Sequence, residues 1–239
     1  MQKSRHWAVR QSWRITERFQ LLLGSESGVH VDNAAEIFHA LHAVFWTKPT
    51  GDYANPLLPP DFIIPQLHMP KHGFAPDYLA VGQTTIASSR LREALAQPSS
   101  AVQYFPIDIH TGGADVRAQD YRWINVLACH PAINTAATIC QMKEGLNYQT
   151  GETFRFIESY NRMVIRDDID PHAELFRVAE DLTTVLASDA LAERVLRAGC
   201  TGIAFEDPTT YLKGGSIHRY RTSTGIEEED MDKIFPETP

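Results

Sequence analysis

The chain has 239 residues, of which 43% are hydrophobic and 22% charged, enough to bury a sizeable core as one large domain or two small ones. Its formal net charge of −8 argues against a sequence-independent nucleic-acid partner, because such binding needs clustered lysine and arginine. Cys129, Cys140 and Cys200 are an odd number without C-x-x-C spacing, which argues against a disulfide framework and a thiolate zinc site. We therefore expect a globular protein of a reducing compartment, the cytoplasm.

The N-terminal segment MQKSRHWAVRQSW has no continuous apolar stretch of the kind that a signal peptide needs. Nowhere in the sequence do about 18 apolar residues follow one another without a charge, which is the length that a membrane-spanning helix requires. We therefore expect neither export by a signal peptide nor a membrane partner.

The first predicted elements are a strand and a helix. Residues 13–24 have the composition of a strand, and in VDNAAEIFHALHAVFW the apolar residues Ile37 and Leu41 recur at helical spacing. Asn33 fits the N-cap position, and Glu36 three residues later fits the reciprocal arrangement that satisfies the first free amides of a helix. The pattern predicts an amphipathic helix that begins after Asn33.

A segment rich in proline and glycine follows, from Thr47 to Pro76. Fixed φ angles and missing amides exclude a regular helix or a central strand there. An ordered wrap is favoured over a linker by its apolar residues Leu57, Leu58, Phe62, Ile63 and Ile64. We predict that residues 1–76 form an N-terminal region, and that residues 77–239 form a second domain with an acidic C-terminal tail.

Two segments one hundred residues apart are similar to each other, since TTIASSRLREAL aligns without gaps to TVLASDALAERV. Identical pairs within these segments are Thr84 and Thr184, Ala87 and Ala187, Ser88 and Ser188, Leu91 and Leu191, and Glu93 and Glu193. In the stretches QYFPI and GIAFE that follow at the same shift, Phe105 matches Phe205. Each segment reads as a strand, a serine-capped helix, a turn and a strand. With further strand-like stretches such as YRWINVLACH and ELFRVAE, this predicts an α+β fold with mixed sheet elements and two similar strand–helix–strand units.

Cys200 lies between the second predicted helix and the strand that follows it. Gly199 fits a left-handed C-terminal cap, and Gly202 allows close backbone approach as the chain enters the strand. A nucleophilic cysteine needs a base and an electropositive setting, and no histidine lies near Cys200 in the sequence. We therefore interpret Cys200 as structural.

The stretches DYLAVG, IASSRLREAL, QYFPIDI, YRWINVL, ELFRVAE and ASDALAERVLRAGCTGIAF give the chain a family resemblance between Asp77 and Pro208. Together they resemble immunity protein family 11 (Imm11, DUF1629). The resemblance implies an antidote that is encoded beside a polymorphic toxin of a bacterial secretion or contact-dependent system, and that binds and blocks the toxin. It also implies a cytoplasmic protein of bacterial competition, with the cognate toxin domain of a secreted effector as its partner and no enzymatic role.

Two acidic runs are the candidate partner-binding residues, because an acidic surface suits a basic partner. The first comprises Asp167, Asp168 and Asp170, and the second comprises Glu227, Glu228, Glu229 and Asp230. The alternative function is a hydrolase of unknown substrate, in which His172 acts with Asp168 or Asp170. A toxin gene beside this gene would favour the toxin-binding function, and a metabolic gene neighbourhood would favour the hydrolase.

Other polar groups carry no site prediction. Glu36, His39 and His42 are spaced by threes on the predicted helix but lack the i, i+4 spacing of H-E-x-x-H, so a solvated helix face explains them. His68 and His72 fit ordinary loop polarity. The glycine pairs Gly112-Gly113 and Gly214-Gly215 lack the preceding strand and following helix of a nucleotide-binding loop. We assign no metal and no cofactor.

Overall fold

The computed structural model describes residues 6–11, 30–45, 57–69, 76–81, 84–98, 101–111, 120–146, 151, 153–210 and 217–230. Within these ranges the chain forms sixteen strands and three helices, so the predicted mixed α+β class is confirmed. The strand predicted over residues 13–24 lies outside the described residues.

In chain order the elements are β1 (His6–Gln11), β2 (His30–Val31), α1 (Ala34–Phe45), β3 (Gln66–His68), β4 (Tyr78–Val81), β5 (Thr84–Ala87), α2 (Ser89–Leu95), β6 (Val102–Phe105), β7 (Asp108–Thr111), β8 (Arg122–Val126), β9 (Cys129–His130), β10 (Ile139–Leu146), β11 (Thr153–Arg162), β12 (Leu175–Val178), β13 (Asp181–Ser188), α3 (Asp189–Arg197), β14 (Ile203–Glu206), β15 (Ile217–Arg221) and β16 (Ile226–Asp230).

The chain divides into two compact units that are interleaved in sequence. The large-sheet unit comprises Met1–Arg10, Ala128–Leu196 and Ala204–Pro239, and the double-sheet unit comprises Gln11–Leu127 and Arg197–Ile203. This division differs from the boundary predicted after residue 76, because residues from both sides of that position share one core.

The double-sheet unit contains two separate sheets. One is antiparallel with the order β4-β5-β8-β6, and the other has the order β2-β3-β7, with β3 and β7 parallel. Its core draws on α1, on the proline-rich segment and on both sheets. The buried members are Val31, Ile37, Leu41, Leu58, Phe62, Leu67, Met69, Leu79, Ile86, Phe105, Tyr121 and Trp123.

The large-sheet unit is built on a seven-stranded sheet of order β16-β15-β14-β1-β13-β12-β9, and a separate two-stranded hairpin of β10 and β11 belongs to it. The acidic edge strand β16 pairs antiparallel with β15. The buried core residues are Ala8, Ala132, Ile133, Tyr160, Met163, Ile169, Phe176, Val178 and Leu186.

The predicted helix is α1, but Asn33 does not cap it as expected. The backbone carbonyl of Asn33 accepts the bond from the Ile37 amide, while its side chain turns to the proline-rich segment. There Asn33 Nδ2 donates to the carbonyl of Ile64 at 2.9 Å, and the amide of Gln66 donates to Asn33 Oδ1 at 3.0 Å. The predicted reciprocal cap with Glu36 is therefore wrong, because a tertiary partner takes the asparagine amide.

The predicted serine caps are confirmed. The amides of Leu91 and Leu191 each donate to the hydroxyl oxygen of the serine three residues before them, Ser88 and Ser188, at 3.2 Å. Each bond satisfies one of the amides that the first turn of a helix leaves free. Both leucines are fully buried, so each cap fixes a helix whose apolar face enters a core.

Candidate functional site

The first acidic run forms an exposed turn with a buried anchor. The turn follows an isolated β-bridge between Ile133 and Ile165, and the Arg166 amide donates to the carbonyl of Ala132 at 2.8 Å. The side chain of Ile169 packs into the core of the large-sheet unit. The aspartates on both sides of this anchor, Asp167, Asp168 and Asp170, are all exposed. The core therefore holds the turn in place while its carboxylates face solvent.

Asp168 and Asp170 accept hydrogen bonds within the turn. Asp168 accepts hydrogen bonds from Arg166 Nε at 2.8 Å and from Arg166 Nη2 at 2.6 Å. These bonds lower the pKa of the Asp168 carboxyl below its ordinary value and raise the pKa of the Arg166 guanidinium. Asp170 Oδ1 accepts from the backbone amide of His172 at 2.9 Å. The turn is therefore structured by its own hydrogen bonds, and those from Arg166 favour the ionised form of Asp168.

A small open depression lies beside the turn, with a volume of about 190 Å³. Its lining consists of His130, Pro131, Arg166, Asp168, Ile169 and Asp170. Sites for small-molecule ligands usually measure about 300–1,000 Å³ and enclose most of the ligand. This depression is smaller than that, so it does not have the size of a typical small-molecule site.

The second acidic run forms the edge strand β16 rather than a tail. Its backbone pairs with β15, and Glu228 lies opposite Arg219, whose Nε donates to Glu228 Oε1 at 2.6 Å. Glu227 and Glu228 are exposed, whereas Glu229 and Asp230 are partly covered. Pairing along the whole strand fixes the spacing of the four carboxylates, which a free tail would not do.

The geometry does not favour the alternative hydrolase. A general base needs its ring nitrogen within hydrogen-bond reach of an orienting carboxylate or of the reacting group. The bond between residue 172 and Asp170 uses the backbone amide of His172, and Asp168 is held by Arg166. The three residues therefore form a turn with local hydrogen bonds instead of a carboxylate–imidazole pair.

Cys200 also lacks the setting of a nucleophile. Burial, together with the negative charge of Asp77, raises the pKa of the Cys200 thiol to about 11, although Arg90 opposes this shift. The thiolate, which is the reactive form, is therefore scarce at neutral pH. The downstream residues Glu206 and Asp207 are buried, and Asp207 Oδ1 accepts from the amide and hydroxyl of Thr209. These groups organise a turn.

Glu206 belongs to a buried polar group that is not among the predicted sites. Its carboxylate bonds to the ring Nδ1 of His218 on the neighbouring strand β15, and Arg10 Nε lies 4.0 Å away. Burial raises the pKa of the Glu206 carboxyl, and the charges of His218 and Arg10 act in the opposite direction. Because these residues are separated in sequence, no local pattern could have joined them.

The hairpin of β10 and β11 exposes apolar side chains, which was not predicted from the sequence. Ile139, Met142 and Leu146 are 55%, 40% and 46% exposed. At its base, the buried Tyr160 donates its hydroxyl to Asp181 Oδ2 at 3.0 Å. Two-stranded hairpins are marginally stable alone, and exposed apolar groups on such an element are typical of interaction surfaces.

One group of described residues has the donor set of a metal site. His30, Asp32 and His68 each place a ligand atom within 4.8 Å of the others. From the sequence, His68 was expected to be an ordinary polar loop residue and His30 was not a candidate, because a helix and a proline-rich segment separate β2 from β3. The only local signal was the alternation of His30, Val31 and Asp32.

In the described parts of the chain, no helix is long and apolar enough to cross a membrane. No curated protein matches the chain. The sequence model of the immunity protein family Imm11 matches residues 46–210, which is more than half of the chain and extends the predicted resemblance toward the N-terminus from Asp77. The match includes the acidic turn and ends before β16. The chain therefore belongs to the immunity protein family Imm11.

Proposed function

We propose that this protein binds a cognate bacterial toxin domain, encoded nearby, and neutralises it by stoichiometric protein–protein interaction without turnover or cofactor. The observation that carries the proposal is membership of the Imm11 family over residues 46–210. The exposed acidic residues add support, because they form structured surfaces and lack a catalytic arrangement. The proposal places the protein in the cytoplasm, where it would protect a bacterium from a polymorphic toxin of a secretion system.

The acidic turn and the acidic strand are the proposed charged part of the interface. Asp167, Asp168 and Asp170 project from a turn that Ile169 anchors in the core, and Glu227–Asp230 are held by the ladder to β15. Charged groups at an interface mainly accelerate encounter and reject wrong partners. These acids would therefore act on the association rate with a basic toxin surface.

The hairpin of β10 and β11 is the proposed source of apolar anchors. Affinity at an interface is concentrated in a few side chains that become fully buried, and these are usually large and apolar or aromatic. Ile139, Met142 and Leu146 are exposed on this element, so a partner that covers them would remove apolar surface from water. They would act on the dissociation rate, in contrast to the acids.

The two strand–helix–strand segments around α2 and α3 are proposed to be copies of one structural unit. Matching residues lie at matching positions of both, including the capping serines Ser88 and Ser188. In this view the repeated unit is the scaffold, and the acidic turn, the acidic strand and the hairpin are additions that select the partner.

The test uses the full chain and the toxin domain encoded beside its gene. Titration of toxin activity should end at one equivalent of antidote, and protection at a small molar fraction would show turnover and overturn the proposal. Association and dissociation rates are then measured over a range of salt concentrations.

Lysine replacement of Asp167, Asp168 and Asp170 together should slow association about 10-fold or more at low salt and flatten the salt dependence. A matched control reverses three exposed acids of the double-sheet unit, Glu36, Asp61 and Glu93, and changes the net charge equally. If the control slows association as much, the acidic turn has no specific role.

Replacing Ile139 and Met142 in the hairpin by serine should instead increase the dissociation rate. An unchanged dissociation rate would reject the hairpin as an anchor.

A further inference from the structure

The three-stranded sheet of β2, β3 and β7 has one apolar face and one face of metal-ligating side chains. Successive residues of a strand point to opposite faces of a sheet. Val31, Leu67 and Ile109 face the core of the double-sheet unit. His30 and His68, which flank these positions, therefore lie on the opposite face, where they are exposed and half-buried respectively.

Strand pairing brings the two histidines together. In the antiparallel ladder of β2 and β3, His30 is the direct partner of His68, and their rings stack with centroids 4.6 Å apart. Asp32 follows β2 immediately, and its backbone amide donates to the carbonyl of Gln66 at 2.8 Å. Its carboxylate Oδ1 lies 2.9 Å from His30 Nε2. The backbone thus places two imidazoles and one carboxylate at one point.

A third histidine reaches the same face from β7. The register between β3 and β7 shifts by one residue, so that Leu67 pairs with Ile109 and His68 pairs with Thr111. His110 is the extra residue of this bulge, and such bulges redirect side chains. Its Nδ1 lies 3.7 Å from Asp32 Oδ2, and its Nε2 lies 3.1 Å from Asp108 Oδ2. His110 therefore approaches Oδ2 of Asp32, whereas His30 approaches Oδ1.

We propose that His30, Asp32 and His68 form a binding site for a divalent transition-metal ion, with zinc the best match, and that His110 positions the Asp32 carboxylate. Two imidazoles and one carboxylate are a ligand set that zinc accepts with bonds of about 2.0–2.2 Å. A fourth position is left for water or for a group from another molecule. Calcium and magnesium prefer oxygen ligands and are poorly matched to two imidazoles.

The side chains need only small movements to close around an ion. The ligand atoms lie within 4.8 Å of one another, whereas tetrahedral zinc sites hold theirs about 3.3 Å apart. The side chain of His30 is 53% exposed and that of Asp32 is 37% exposed, so both are able to rotate without disturbing the core. The bound ion would link two paired strands that a helix and a proline-rich segment separate in the sequence.

This inference does not depend on the proposed toxin binding. The family match begins at residue 46, so His68 lies within it while His30 and Asp32 lie before it. The site therefore combines residues from both sides of that boundary, and it can be tested on the protein alone.

The experiment titrates the untagged, full-length, metal-free chain with Zn²⁺ by calorimetry and with Co²⁺ by visible absorption. One equivalent of each ion should bind, and the Co²⁺ spectrum should show the intense bands of tetrahedral coordination. His30→Ala and His68→Ala should each weaken Zn²⁺ binding by about 100-fold or more, and His110→Ala by about 10-fold. The control His172→Ala removes an exposed histidine of the large-sheet unit and should leave the affinity unchanged.

Thermal melting provides a second readout. Zinc should raise the melting temperature of the wild-type chain and of His172→Ala, because an ion that binds only the folded state stabilises it. Asp32→Asn preserves the shape of the side chain while removing its charge, so it tests the site if an alanine variant does not fold. The proposal is overturned if Zn²⁺ does not saturate the chain at one equivalent, or if folded His30, Asp32 or His68 variants bind it like the wild type.

Discussion

The two segments that carry the serine caps have the same order of elements but lie in different units and different sheets. In the double-sheet unit the order is β4, β5, α2 and β6, and in the large-sheet unit it is β12, β13, α3 and β14. The amide of each capping serine also donates at 2.8 Å to the carbonyl of the acidic residue that precedes the hairpin, Asp77 for Ser88 and Glu174 for Ser188. The two segments therefore share this backbone hydrogen bond as well as the order of their elements.

The acidic side chains at these equivalent positions differ in environment. Asp77 is buried, and its carboxylate accepts from the Ser88 hydroxyl at 2.6 Å and from the Thr201 amide and hydroxyl at 2.8 and 3.0 Å. Glu174 instead forms an ion pair with Arg194, and both side chains are about one-third exposed. The acid whose carbonyl bonds to the capping serine is thus a buried hydrogen-bonded carboxylate in one segment and part of a surface ion pair in the other.

The other sheet strands arise from different parts of the chain. In the antiparallel sheet of the double-sheet unit, β8 lies between β5 and β6, and in the large sheet β1 lies between β13 and β14. The strand that completes the sheet follows the segment in the first case and comes from the N-terminus in the second. In both sheets, therefore, the strand between the last two strands of the segment comes from outside the segment.

The largest effect is expected at Gly202, which lies against the chain around Asp77. Its φ is +87°, and an added Cβ would lie 2.2 Å from the carbonyl oxygen of Tyr78 and 2.8 Å from Pro76 Cβ. Gly202→Ala should destabilise the double-sheet unit by more than about 4 kcal/mol, because backbone must move. Gly199→Ala is the control, since its φ is +68° but nothing lies within 4 Å, and it should cost only about 1 kcal/mol.

Urea denaturation of both glycine variants measures this difference. Similar midpoints for Gly202→Ala and Gly199→Ala would mean that the close approach at Tyr78 is not rigid, and would contradict the prediction.

The next effect is expected from Asp77→Ala. Removal of the carboxylate leaves the Ser88 hydroxyl and the Thr201 amide without their acceptor in a buried place, which should cost about 3–5 kcal/mol. Asp77→Asn retains one carbonyl oxygen and should cost less. Thermal or urea unfolding of the three proteins gives the order, and an Asp77→Ala variant as stable as the wild type would show that water replaces the carboxylate.

Leu91→Ala and Leu191→Ala test the feature that the two segments share. Both side chains are fully buried behind their capping serines, so each truncation should destabilise its unit by about 2–5 kcal/mol through lost burial and a cavity. Leu91→Ala should lower the denaturation midpoint of the double-sheet unit, and Leu191→Ala that of the large-sheet unit. A shift for only one leucine would show that the two helices are not equivalent in packing.

Local rules allowed the helices and their ends to be predicted from the sequence. Ser88 and Ser188 cap as expected, Gly199 has the left-handed backbone that a helix stop uses, and Gly202 makes the close approach assigned to it. These features depend on neighbours within a few residues. Asn33 was mispredicted because a distant backbone segment competes for its side chain.

The tertiary groupings could not be predicted in this way. The acidic turn was recognised as a charge run, but its anchor Ile169 and its arginine partner required the fold. The acidic strand was read as a tail, because four consecutive acids give no strand signal, and pairing with β15 overrides that propensity. His30 and His68 become neighbours only when β2 and β3 pair. Their separation in sequence hid the candidate metal site.

The smallest effect is expected at Glu174, where the comparison with Asp77 is most direct. Arg194 Nη1 and Nη2 donate to Glu174 Oε1 and Oε2 at 3.1 and 2.8 Å, an arrangement that raises the pKa of the Arg194 guanidinium. Because water screens both partly exposed side chains, Glu174→Ala should cost no more than about 1 kcal/mol, and the loss should shrink in high salt. A double-mutant cycle with Arg194→Ala measures the coupling. A coupling above about 2 kcal/mol that persists in high salt would mean that Glu174 acts like the buried Asp77, and the proposed contrast between the two acids would be wrong.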